Sequence, residues 1–204
     1  MTKRIAILVF DGFDIIDAGG PYEVFLTASR LAERDGLAPQ YEVNLVSPGG
    51  EDVVAYGGMT LTGLKAPDAF GSVDMVLVPG TIDVDAAVAN PSIVDAVELL
   101  VGMAPVVTSV CTGAFLLARV GVLEGRPVTT HWEDVHLLEE PGRTGPVARG
   151  VRWVDDGDVV TSGGLTSGIH MALHLVARDF GVEHAIRTAR QLGQTWNPEG
   201  QDPT

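Results

Sequence analysis

Val106-Val-Thr-Ser-Val-Cys-Thr-Gly-Ala-Phe-Leu-Leu-Ala118 passes from a short valine-rich run directly into a helix-like one. A strand apolar on both faces suits a parallel sheet covered by helices on each side. Cys111 stands at the junction, so its side chain is expected to project from a sharp strand-to-helix turn. That turn lies at the carboxyl end of a strand, where open α/β sheets collect their ligands. The backbone N–H groups of Thr112 and Gly113 then open a helix and favour anions. The same field is expected to depress the Cys111 pKa, and Gly113 allows the close backbone approach of a nucleophile elbow. A lone buried cysteine is more often an inert apolar residue; the elbow context favours a reactive one.

Working outward, further apolar blocks end at equivalent points. Ile5 to Phe10 runs into Asp11, Glu42 to Val46 follows, and Met75 to Val78 ends at Pro79-Gly80-Thr81. Between them, Gly20 to Asp35 carries Val24, Phe25, Ala28, Leu31 and Ala32 at helical spacing, and Asn90 to Val101 opens with Asn90 as cap and Pro91 in the first turn. Downstream, Thr112–Val120 reads as a helix, Arg126–Thr130 as a short strand, and His131–Glu140 as a helix stopped by Pro141-Gly142. Val151–Val154 and Val159–Thr161, joined by Asp155-Asp-Gly-Asp158, read as a β-hairpin. Helices over Thr166–Asp179 and Val182–Leu192 follow. Alternating strands and helices predict an open, doubly wound, mostly parallel α/β sandwich of flavodoxin-like type. With no repeat, linker or low-complexity tract, residues 1–204 are read as one domain, with 194–204 expected to be a flexible tail.

The chain has 27 acids against 13 bases, a formal charge of -14, and Lys3-Arg4 is its only adjacent basic pair. Such a surface repels phosphate backbones and anionic membranes, so neither nucleic acid nor a membrane is expected as partner. One cysteine excludes an internal disulfide and any multi-cysteine metal site. The apolar run at Ile5 is too short for a signal-peptide core or a membrane span, which sets the expectation of a cytoplasmic protein. His170 and His174 stand four apart on a predicted helix, but without a companion ligand motif a helix face is favoured over a metal site.

Ser109 to Ala118, with Gly121-Val-Leu-Glu-Gly125 and Thr129-Thr-His-Trp132, resembles the ThiJ/PfpI superfamily. Within it, the chain is most similar to the branch that holds isonitrile hydratases and the sensor domains of AraC-type regulators. Phe10-Asp-Gly-Phe-Asp-Ile-Ile-Asp17 running into Gly20-Pro-Tyr-Glu-Val-Phe25, and Gly163-Gly-Leu-Thr-Ser-Gly-Ile169, carry the same resemblance, which covers residues 4–193 in order. It implies Cys111 as nucleophile, Asp17 as acid/base, and Thr112 supplying a backbone N–H and a hydroxyl. Gly80, Thr81 and Gly113 would be backbone donors, with Thr81 replacing the second glycine of the family's Pro-Gly-Gly. Glu23 is a second carboxylate on the following helix, with an exposed helix position as its structural alternative. His131 would orient or protonate a group beside the thiol, or else serve as a buried structural histidine. Thr81, Phe13, Phe70 and Trp132 are candidate pocket walls. The implied reaction hydrates an isonitrile to an N-substituted formamide with no metal or organic cofactor, in a homodimer.

Other readings use the same scaffold. Superfamily peptidases usually carry His after the nucleophile, where this chain has Thr112, and no late His-x-Glu completes an amidotransferase triad. Glyoxalase chemistry, redox sensing through an exposed low-pKa thiol, and non-catalytic small-molecule sensing stay open. The sensor reading is expected to be the weaker, because the chain ends at Thr204 without the two helix-turn-helix units of such regulators.

Overall fold

The computed structural model describes residues 1–140 and 142–200. Strands β1 (Lys3–Leu8), β2 (Tyr41–Val46), β5 (Met75–Val78), β6 (Val107–Val110), β7 (Trp153–Asp155) and β8 (Val159–Ser162) form a six-stranded sheet in the order β2-β1-β5-β6-β8-β7. All neighbours pair in parallel except the β7–β8 hairpin. The central strands are buried along their length, as expected when helices cover both faces. Those helices are α1 (Ile15–Arg34), α2 (Val84–Ala89), α3 (Pro91–Met103), α4 (Gly113–Arg119), α5 (Val135–Leu138), α6 (Ser167–Phe180) and α7 (Val182–Gln191). The doubly wound α/β reading holds. A separate small hairpin, β3 (Val53–Val54) with β4 (Thr60–Leu61), and the six-residue α2 are too short to register as periodicity.

Three local expectations are corrected. Helix α1 begins at Ile15, five residues before the predicted Gly20, and runs through Pro21. Asp14 is its N-cap, accepting from the Ile16 N–H at 3.3 Å. The Gly19-Gly20-Pro21 stretch looks like a break but serves an approach: a Cβ on Gly20 would lie 2.8 Å from Ile169 Cγ1, and one on Gly168 2.8 Å from Val110 Cγ1. The two glycines let α1 settle against α6 and α6 against β6. Arg126–Thr130 is no strand but a single Val128–Val147 bridge. Pro127 has no N–H to donate, and the Thr129 N–H goes to Thr161 Oγ1 at 2.8 Å. The predicted helix over 131–140 shrinks to α5, preceded by a turn in which the Asp134 N–H bonds His131 O at 3.0 Å; Pro141 lies outside the described residues.

The C-terminal stretch is described up to Gly200. Up to Gly200 it lies against the sheet edge: the Trp196 indole N–H donates to His170 O at 3.1 Å, the Arg152 N–H donates to Gly200 O at 2.8 Å, and Gly200 packs on the Trp153 ring. The remaining residues of the expected tail, 201–204, lie outside the described residues. Among the described residues, no helix is long and apolar enough to cross a membrane.

Candidate active site

Strand β6 ends at Val110, and the next residue, Cys111, has φ +57°. A left-handed conformation costs a non-glycine residue roughly 1 kcal/mol or more and survives only where the surroundings enforce it. The enforcement is visible. The Cys111 N–H is shared between Ser162 O (3.2 Å) and Gly163 O (3.1 Å), and the Thr130 hydroxyl donates to Cys111 O at 2.8 Å. The side chain therefore leaves the sheet at the start of α4, as the elbow reading requires. Thr130, itself buried, is a structural partner that the sequence reading missed.

The first turn of α1 brings Asp17 to the same point. Its side chain is buried; Oδ2 accepts from the Gly80 N–H at 3.1 Å, while Oδ1 has no hydrogen-bond partner of ordinary geometry. The carboxyl also meets the Cys111 thiol and faces the N–H of Leu165. Burial, reinforced by the Asp14 charge, pushes the Asp17 pKa up to about 7, against the opposing pull of the Gly80 N–H, the thiol and the Leu165 N–H. The thiol moves the other way from its expected depression. Burial first, then the Asp17 charge, raises the Cys111 pKa well above the usual thiol range, and the Thr112 N–H pointing at the sulfur only partly offsets this. The helix-terminus field is real but loses to desolvation and a like charge. Near neutrality Asp17 titrates beside a thiol that stays protonated, and because each charge raises the other's pKa the two titrations are coupled.

Two of the three expected backbone donors, Gly80 and Thr81, are already engaged. The Gly80 N–H serves Asp17, and the Thr81 N–H donates to Thr112 Oγ1 at 2.8 Å, whose hydroxyl in turn donates to Thr81 O at 2.7 Å. Thr81 Oγ1 donates to Gly12 O at 2.9 Å, tying the loop after β1 to the loop after β5. The Thr112 hydroxyl is thus a clasp between elbow and loop, and Thr112 faces the sulfur through its backbone N–H. Thr112→Val would leave a buried N–H and a buried C=O unpaired, a cost of about 1–3 kcal/mol for each orphaned group. A drop in urea midpoint with unchanged m-value checks this; an unchanged midpoint would refute the clasp. Gly113 is wedged under Val78 O, where a Cβ would sit 2.3 Å away.

The remaining candidates separate. Glu23 is exposed on α1 and accepts from Thr27 Oγ1 at 3.1 Å, so it does not join the pair. His131 packs its ring on Gly164 and turns Nδ1 to Asp134 (3.3 Å) and Glu133 (3.8 Å). Phe13 and Phe70 are core residues, and Trp132 is 74% exposed. His174 bonds Asp155 at 2.6 Å and stacks on Trp153, while His170 is buried on α6; among the described residues no group of three His, Cys, Asp or Glu is placed to hold a metal. Leu165, at φ +53°, is the second strained non-glycine residue among those described, and it aims its N–H at Asp17. Only the Gly163-Gly164 pair before it hinted at it.

Two clefts flank the pair, one of about 650 Å³ against α2, α4 and α5, the other of about 520 Å³ beside His131 and Gly164. Neither is lined by Cys111 or Asp17, and Cys111 itself is only 8% exposed.

The model of the DJ-1/PfpI family matches residues 3–178. The chain is 32% identical over 195 residues to the isonitrile hydratase of Pseudomonas putida, covering 94% of this chain and 78% of that one. It is 28% identical over 181 residues to the HTH-type transcriptional regulator GbdR of Pseudomonas aeruginosa, covering 89% of this chain but only 48% of the regulator. A ThiJ/PfpI family protein from Pseudomonas syringae superposes with a TM-score of 0.82 at 23% identity over 97% of this chain and 77% of its own. Family model, sequence relative and superposed fold span the strained cysteine and its buried carboxyl alike, and the protein belongs to the DJ-1/PfpI family.

Proposed function

We propose that the protein is a cofactor-independent isonitrile hydratase-like lyase, with Cys111 as nucleophile and Asp17 as acid and base. The observation that carries the reading is the buried Asp17–Cys111 pair at the elbow, a carboxyl whose pKa is raised to about 7 beside a thiol that Cys111 barely opens to solvent. The likeness to a Pseudomonas putida isonitrile hydratase supports the same substrate class.

The chemistry closes on these two residues. Asp17 carboxylate takes the thiol proton, sulfur adds to the terminal isonitrile carbon, and Asp17 returns the proton to that carbon, leaving a thioimidate, R–N=CH–S–Cys111. Asp17 carboxylate then removes a proton from water as its oxygen adds to the same carbon. The proton reaches nitrogen, the C–S bond breaks, and the hydroxyl proton of the adduct returns to sulfur as R–NH–CHO leaves. The net change is one water per isonitrile, with no redox step.

Proton NMR of the purified protein with cyclohexyl isocyanide is expected to show N-cyclohexylformamide; a folded protein giving no formamide would overturn the reading and favour a binding role like that of the regulator relatives. The pH dependence is specific. The reactive state carries one proton on the pair, and the doubly protonated state is silent. Both kcat/KM and Cys111 alkylation by iodoacetamide are therefore expected to rise with pH through about 7, where Asp17 titrates. A rise centred near ~8.5, the ordinary thiol value, would uncouple the two residues. The family resemblance adds a homodimer to the proposal, which sedimentation tests.

A further inference from the structure

Trp196-Asn-Pro-Glu-Gly200 is a turn with an anchor at each end. Asn, Pro and Gly stand at the first, second and fourth positions that a type I β-turn favours. Asn197 Oδ1 accepts from the Glu199 N–H at 3.0 Å, and Asn197 O from the Gly200 N–H at 3.4 Å. Residues 197–199 are exposed, whereas Gly200 is buried and Trp196 packs partly buried against the core. Trp196 fixes one end through its indole N–H on His170 O at 3.1 Å. Gly200 fixes the other, and glycine alone suits the place: φ is +70°, and a Cβ would lie 2.9 Å from the Trp153 ring.

From Gly200 a run of backbone hydrogen bonds leads to the nucleophile. Gly200 O accepts the Arg152 N–H at 2.8 Å, Arg152 O accepts the Gly163 N–H at 2.9 Å, and Gly163 O accepts the Cys111 N–H at 3.1 Å. That last contact is one of the two that take up the N–H of Cys111 at its φ of +57°. Two residues beyond Gly163, Leu165 turns its N–H to Asp17. The 163–165 turn thus carries a bond to each member of the pair. Arg152 adjoins β7, the last strand of the sheet, so among the described residues no further strand backs it from outside.

We infer that Trp196 and Gly200 are positioning residues for the elbow: the turn between them latches Arg152, and through Arg152 and Gly163 it holds Cys111 in its strained place. Neither residue touches the reacting atoms. A strained backbone persists only while its surroundings over-determine it, so slackening this run lets Cys111 relax from its seat beside Asp17. The latch rests on backbone geometry; only its effect on turnover rests on the hydratase reading.

Gly200→Ala, Trp196→Phe and the exposed control Glu199→Gln are made in the full chain. Amide exchange is followed by NMR at Cys111 and Gly163 and, for comparison, at the buried β1 residues Ile5 and Ile7. Exchange roughly three- to tenfold faster at Cys111 and Gly163 alone, the size of one net hydrogen bond, is expected in the first two variants and not in the control. With cyclohexyl isocyanide, kcat is expected to fall roughly tenfold at constant KM, because the latch orients the thiol without binding substrate. Equal acceleration of all four amides, or none, would overturn the latch. Selective acceleration with an unchanged kcat would overturn the positioning role. Selective acceleration where the parent itself makes no formamide would keep the latch and overturn the hydratase reading. If Gly200→Ala does not fold, Trp196→Phe decides, since it keeps an aromatic ring and removes the N–H.

Discussion

Asp17→Asn is expected to lose roughly 10³-fold in kcat/KM and, at pH 8, to melt several degrees above the parent protein. The two effects share one cause. The Asp17 carboxyl is buried with one oxygen unpartnered, and its pKa stands at about 7 against an ordinary value of 3.8. The native state therefore holds its proton over a range where the unfolded chain has released it. With more protons bound to the native state, stability falls as pH rises between those two values. Three pKa units correspond to about 4 kcal/mol, so at pH 8 ionisation of Asp17 costs the fold on the order of 4 kcal/mol. The asparagine side chain carries no such charge and can still accept from the Gly80 N–H. Its advantage should vanish near pH 4, where both proteins carry a neutral side chain. Melting curves from pH 4 to 8 check the sign: a variant less stable than the parent at pH 8 would mean that the carboxylate is held by more than the structure shows. Cys111→Ser should lose at least about 10⁴-fold, because the alkoxide is far harder to form than the thiolate. Formamide produced equally by parent and Asp17→Asn would remove Asp17 from the reaction.

What the sequence disclosed and what it hid divide along a physical line. The α/β alternation and the elbow were legible because both are local: a valine-rich run, a cysteine and a glycine within one stretch. The place of Asp17 came from the family resemblance and not from local pattern, since Gly19-Gly20-Pro21 reads as a helix break until Ile169 is seen against Gly20. The direction of the Cys111 pKa failed for the same reason. A helix terminus is visible in sequence, whereas desolvation and an opposing carboxylate come from residues far along the chain. The engaged N–H groups of Gly80 and Thr81 and the strained Leu165 likewise exist only once separate loops meet.

Gly113 gives the sharpest test of that meeting. A Cβ there would stand 2.3 Å from Val78 O, 2.8 Å from Pro79 O and 3.0 Å from Pro79 C. All three atoms are backbone at the end of a central buried strand, so no side-chain rotation can relieve the contact. Gly113→Ala must push α4 away from the loop after β5. That displacement would break the Thr81–Thr112 clasp and the Gly80–Asp17 bond together. Overpacking of this kind costs roughly 1–3 kcal/mol, and the lost buried hydrogen bonds add about 1–3 kcal/mol each. At about 2–4 °C per kcal/mol for a chain of this size, a fall of roughly 10 °C in Tm is expected. Gly102→Ala is the control. It lies exposed in the last turn of α3 with nothing within 4 Å of the added Cβ, so it should stay within about 0.5 kcal/mol of neutral. If Gly113→Ala folds with an unchanged Tm, the close seat of the elbow is wrong. If it folds less stably but its Cys111 alkylation still rises through about pH 7, the clasp serves stability alone. Loss of that profile along with the stability would mean that the seat which strains Cys111 also holds it against Asp17.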